Sequence, residues 1–170
     1  MDTTENLYDT GGQTAPASLP AELLRRLGTL DSTELVTTTL GVRITHWQRG
    51  RLVATLPVAG NRDPYGRLDS AVYAVLAETL GSVAAALDMG TDGIVLGQEL
   101  SCVHHEAVLD GTVTGVCTPL HRGDSTAAYE IVITDADARR LCTARLTCRL
   151  RRTPVRVPAP DPAPTTGRKA

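Results

Sequence analysis

Residues 70 to 87 of this 170-residue chain, "SAVYAVLAETLGSVAAAL", are built mostly from Ala, Val and Leu and contain one charged side chain, Glu78. A segment this long with so little polar surface is a helix that is apolar nearly all round, and such a helix is buried on most sides. An antiparallel sheet can wrap one side of it. The remaining side needs another partner, and a second subunit is the obvious one. Asp69 or Ser70 is placed to cap the helix start, and "MGTDG" supplies its exit turn.

The flanking periodicities complete the expected fold. "PAELLRRLG" (20–28) reads as a short helix, with Pro near its start and Gly at its stop. "DSTELVTTTL" (31–40) reads as a second, capped by Asp31 or Ser32. "GVRITHWQRGRLVATLPV" (41–58) alternates apolar and polar residues around Arg49-Gly50, the signature of a β-hairpin. "AGNRDPYGRL" (59–68) is a loop. Beyond the long helix, turn residues separate four strand candidates, at roughly 94–106, 111–121, 125–135 and 139–150. The fold class is therefore α+β: an antiparallel sheet around one central helix. Residues 1–18 and the Pro/Ala-rich 153–170 read as disordered tails around a single domain, 19–152.

Composition narrows the function. The apolar share of 42% allows a core, and a net charge of −2 does not fit an electrostatic nucleic-acid binder. With no Phe and one Trp no base-stacking platform is expected. The opening Met-Asp-Thr-Thr-Glu has no basic region or apolar run, so no signal peptide is expected. Glu78 interrupts the longest apolar stretch, so no membrane span is expected and the cytoplasm is the expected compartment. Cys102, Cys117, Cys142 and Cys148 lack zinc-site spacing and are expected as reduced, buried thiols. No metal and no cofactor are expected.

The carboxylates carry the chemistry. Burying a lone carboxylate is costly, so Glu78 is either a structural group paired with Arg or backbone amides, or a general base or nucleophile. Ser82 lies one turn further along the same face and is placed to orient it. Asp69 is a natural N-cap, and the first helical amides, near Ser70 and Ala71, are placed to stabilise an oxyanion. Asp69 and Glu78 are nine residues apart, which at about 100° per residue puts them on opposite faces. One pocket using both would draw them from two subunits. His104 and His105 are adjacent on a strand and are expected to point to opposite faces. His46 and His121 read as surface residues.

Four stretches then carry a resemblance: "VLAETLGSVA" (75–84), "GQELSCVHHEAV" (97–108), "GTVTGVCTPLHRG" (111–123) and "YEIVITDADARRLCTARLT" (129–147). From about Leu40 to Leu150 the chain resembles the hotdog-fold acyl-CoA and acyl-carrier-protein thioesterases, of the phenylacetate-pathway type and that of enterobactin-synthesis proofreading. The resemblance implies a sheet wrapped round one helix, side-by-side dimers that pair into tetramers, and an acyl thioester bound between subunits. It makes Glu78 the catalytic carboxylate and Ser82, Val83 and His104 pocket residues, with Val103 where the family often has Asn or Thr.

The motif before the helix departs from the family's Gln-Pro-(Phe/Tyr)-Gly-x-x-His-Gly-Gly. Here it reads Asp63-Pro64-Tyr65-Gly66-Arg67-Leu68-Asp69-Ser70-Ala71. Pro64, Tyr65 and Gly66 match. Asp63 replaces the Gln and Asp69 the His that position the thioester carbonyl, and the oxyanion amide becomes that of Ser70. An acidic Asp69 near a carbonyl that turns negative opposes hydrolysis. Three functions therefore stand side by side. The first is thioester hydrolysis with Glu78 as base or nucleophile, acting on acyl-CoA or an acyl-carrier protein. The second is a repurposed hotdog enzyme using Asp69 and Glu78 as an acid–base pair for dehydration, isomerisation, cyclisation or decarboxylation. The third is a non-catalytic subunit that keeps the pocket.

Overall fold

The computed structural model describes residues 36–90 and 93–151. The expected helix at 20–28 and both tails lie outside the described residues. In chain order the elements are α1 (Val36–Thr39), β1 (Arg43–Gln48), β2 (Arg51–Pro57), α2 (Ser70–Met89), β3 (Ile94–His104), β4 (Thr112–Arg122), β5 (Thr126–Thr134) and β6 (Arg140–Arg151). Only the end of the expected 31–40 helix, α1, lies among them.

All six strands form one antiparallel sheet in the order β1-β2-β4-β5-β6-β3. The hairpin turns at Arg49-Gly50, where Gly50 has φ +88°. The strand after the helix, β3, crosses to the far side and, among the described residues, pairs only with β6, at the edge of the sheet.

α2 lies in the hollow of this sheet. It buries Val72, Tyr73, Leu76, Ala77, Leu80 and Val83. They meet the inward positions of the strands, among them Leu56, Val113, Ile131 and Leu146, each fully buried. Two glycines allow this approach. A Cβ on Gly81 would fall on the Leu146 side chain, and one on Gly115 would come within 2.6 Å of Leu80 Cδ1. The helix starts where Asp69 caps it and stops at Gly90, which has φ +72°. By length and composition α2 is apolar enough to cross a membrane even though Glu78 interrupts its apolar run. Two acidic residues, Glu78 and Asp88, among twenty helical residues are too few to pull the average down. Here the helix is the core of the fold.

Candidate active site

The loop into α2 is organised by one carboxylate. Asp63 Oδ1 accepts the backbone amides of Tyr65 and Arg67, each at 2.9 Å. Oδ2 accepts Arg67 Nε at 2.9 Å and pairs with Nη2 at 2.8 Å. Gly66, with φ +81°, makes the reversal possible. Burial alone pushes the Asp63 carboxyl up, but the Arg67 amide and guanidinium and the Tyr65 amide outweigh it and hold it below its ordinary value. Tyr65 is 80% exposed, with the Arg67 guanidinium 5.0 Å from its ring centre. Both Asp63 oxygens are thus turned to its own loop.

The same turn occurs again between β5 and β6. Asp135 Oδ1 accepts the amides of Asp137 and Arg139, and Oδ2 accepts Arg139 Nε at 2.7 Å. Ala138 stands where Gly66 stands, with φ +61°. "DPYGR" and "DADAR" are one Asp-x-x-x-Arg clamp used twice.

Asn61 anchors the loop from below. Its buried side chain donates to the carbonyls of Leu40 and Pro57, both at 2.9 Å. Its backbone carbonyl accepts the Asp69 amide, also at 2.9 Å. Asp69 Oδ1 in turn accepts the Ala71 amide at 2.8 Å, so the carboxylate caps the helix. The Ser70 amide stands at the first helical position, where no intrahelical carbonyl precedes it.

Above Ser70 opens a cleft of about 280 Å³, bordered by Asp63, Arg67, Ser70, Tyr73, His104 and His105, with Glu106 at its rim. The two histidines do not part to opposite faces. β3 ends at His104, strand alternation stops there, and both border the same cleft. His104 meets Tyr73 edge to face, with ring centres 5.3 Å apart. His105 Nε2 lies 2.9 Å from Thr143 Oγ1. Burial, then the nearby Cys142 and Asp135, push the Tyr73 hydroxyl up to about 12, and that buried hydroxyl has no hydrogen-bond partner among the described residues. Arg67, Tyr73, His105 and Glu106 were not legible as cleft residues from motif matching. Helix spacing gives Tyr73, since it lies one turn beyond Asp69.

Glu78 is elsewhere. It is half-buried on α2 and lies against β3 at Gly97. Ser82 Oγ donates to its Oε1 at 2.9 Å, as the four-residue spacing implies. Among the described residues Ser82 is its one hydrogen-bond partner, and no Arg or Lys pairs with it. Cys148 lies beneath: burial, then the charge of Glu78, push its thiol up to about 11, against the pull of a hydrogen bond with Ser82. Val83 is buried in the core and does not border the cleft. Along the helix axis Glu78 is about 12 Å from Ser70, at about 1.5 Å per residue.

A hydrophobic helix with a carboxylate near its middle, in the hollow of a six-stranded antiparallel sheet, has close counterparts. The thioesterase superfamily profile matches residues 65–142. The proofreading thioesterase EntH of Cronobacter turicensis is 45% identical over 108 residues, covering 63% of this chain and 79% of that protein. The chain belongs to the thioesterase superfamily. Its fold is the hotdog fold, and its enzyme class is that of thioester hydrolases. The solved thioesterase HI1161 of Haemophilus influenzae matches with a TM-score of 0.73 at 27% identity, over 83% of this chain and 96% of that one. PaaI of the phenylacetic acid degradation operon of E. coli matches with a TM-score of 0.65 over 74% of this chain and 88% of that one. At 18% identity that likeness speaks for the fold alone.

Proposed function

We propose that this superfamily member hydrolyses acyl thioesters carried on coenzyme A or a carrier protein in a biosynthetic pathway, with Glu78 as general base or nucleophile. The observation that carries the reading is the state of Glu78. A structural carboxylate in an apolar helix is paired with a cation or with backbone amides. Glu78 has neither among the described residues and is oriented by one hydroxyl. As a base it takes a proton from the attacking water; the C–S bond breaks and the thiol leaves with that proton. As a nucleophile it attacks the carbonyl and expels the thiolate, forming a mixed anhydride that water cleaves to the free acid and the regenerated carboxylate. The Ser70 amide faces the developing oxyanion, with His104, Tyr65 and the Asp63 clamp shaping the approach. Asp69 serves this site as the cap that fixes the helix start. The EntH relative, a proofreading thioesterase by name, supports a proofreading role within that pathway.

Glu78 and Ser70 are too far apart on one helix to meet a single carbonyl, which supports a site shared by two copies. Among the described residues the outer edge of β3 is unpaired, which supports the same assembly. It runs eleven residues and exposes Ile94, Leu96 and Val103, and such an edge is a template for pairing with another chain. Dimers pairing into tetramers complete the proposal.

The test is a panel of acyl-CoA and acyl-carrier thioesters offered to wild type and Glu78→Gln. Wild type is expected to release thiol from at least one substrate, and Glu78→Gln to lose about 10³-fold or more in kcat. Equal turnover by the two proteins would remove Glu78 from the chemistry.

A further inference from the structure

The edge strand is irregular where it passes Glu78. In the pairing of β3 with β6, Gly97 faces Cys148 and Glu99 faces Thr147, so Gln98 is an extra residue in β3. Bulges of this kind bend a strand locally and re-aim what lies beside it. At the bulge the Glu78 carboxylate lies directly against the strand. A Cβ on residue 97 would fall on Oε1, 3.0 Å from Cδ and 3.1 Å from Oε2. The volume that the carboxylate fills is the volume that glycine leaves empty.

Backbone conformation does not explain this glycine. Gly97 is not among the positive-φ residues, so its backbone accepts an ordinary side chain. Within one chain it is exposed at the sheet edge, so packing inside the chain's own core does not demand a small residue. What a side chain there would strike is the far end of a flexible Glu, which moves more easily than a strand. Ser82 holds the carboxylate from the helix side at 2.9 Å, and the fully buried Cys148 is the cross-strand partner of Gly97.

We propose that Gly97 is a positioning residue for the reaction: the bulged, side-chain-free strand at 97 forms the seat that holds the Glu78 carboxylate in its Ser82-bonded orientation. The proposal rests on the reading of Glu78 as the reacting carboxylate.

Four full-length proteins test it: wild type, Gly97→Ala, Glu78→Asp and the double variant. Each is measured for kcat and KM on the best thioester substrate and for Tm, and the Gly97→Ala structure is solved. Gly97→Ala should keep or raise Tm, because a strand position with ordinary φ prefers Ala to Gly. It should lower kcat by about tenfold or more with KM within about twofold, as a misplaced reacting group does. Its crystal structure should show the carboxylate displaced and the Ser82 bond broken. Aspartate is one methylene shorter and leaves room for the methyl group added at position 97. Glu78→Asp should therefore cost less in the Gly97→Ala background than in wild type.

Wild-type kcat in Gly97→Ala, strictly additive losses in the double variant, or an unmoved carboxylate in the crystal each overturn the proposal. Turnover that survives Glu78→Gln overturns instead the reading of Glu78. The crystal structure still decides whether residue 97 forms the seat.

Discussion

Among the described residues Ser82 is the one side chain that tells Glu78 where to point, since its hydroxyl donates to Oε1 at 2.9 Å. Ser82→Ala removes that bond and leaves the carboxylate in place, so kcat should fall by about tenfold, the equivalent of losing one hydrogen bond to a charged group. Steady-state kinetics would read it; an unchanged kcat with a higher KM would make Ser82 a binding contact only. This pair was visible in the sequence because its four-residue spacing is one helical turn. Asp63 was different. The family resemblance places it where a Gln faces the substrate, yet its oxygens fold back onto Tyr65 and Arg67. No pairwise motif match reveals that, although the second copy of the same spacing, Asp135 to Arg139, was present in the sequence. His105 was hidden for a related reason: alternation predicts a side only while the strand lasts, and β3 ends one residue earlier.

At the level of elements, the contact between α2 and β6 has no spare volume. A Cβ on Gly81 would fall on Leu146 Cδ2 and lie 3.0 Å from Leu146 Cβ, and Leu146 is fully buried. Gly81→Ala should therefore lower stability by about 1–3 kcal/mol despite its better helix propensity, as overpacking does. Urea unfolding measures it, and a stabilised variant would show that the strand yields. The two Asp-x-x-x-Arg turns give the fold an acid limit. Burial pushes the Asp63 and Asp135 carboxyls up, but their Arg partners and the turn amides hold both below the ordinary value. A carboxylate held low contributes stability that is fully present above its unfolded pKa, about 3.9, and lost as pH falls through the folded value. Stability should thus decline as pH drops below about 4, and Asp135→Asn should flatten that decline while lowering stability by a constant amount above about pH 5. Denaturation midpoints at a series of pH values would show it; an unaltered acid limb in Asp135→Asn would contradict it. Hairpin, helix and meander were legible because their periodicities are strong and Gly, Pro and Asp punctuate them. The strand order was not, because it depends on β3 crossing the sheet to pair with β6.

The molecule as a whole separates its two candidate halves of chemistry. The cleft with Ser70, Tyr73 and His104 lies at the start of α2, and Glu78 lies against the edge strand. In the proposed assembly a second copy brings them together, each site taking Glu78 from one chain and the Ser70 amide from the other. Complementation tests this directly. Ser70→Pro deletes the amide at the first helical position, where proline is tolerated, and Asp69 already has the extended backbone that precedes a proline, φ −63° and ψ 136°. Glu78→Gln and Ser70→Pro should each be inactive alone. Assembled together from unfolded or co-expressed chains, random pairing puts one intact site in about half of the dimers, restoring about a quarter of wild-type turnover. Mixed dimers that form, as shown by native mass spectrometry, yet stay as inactive as either parent would contradict the shared site.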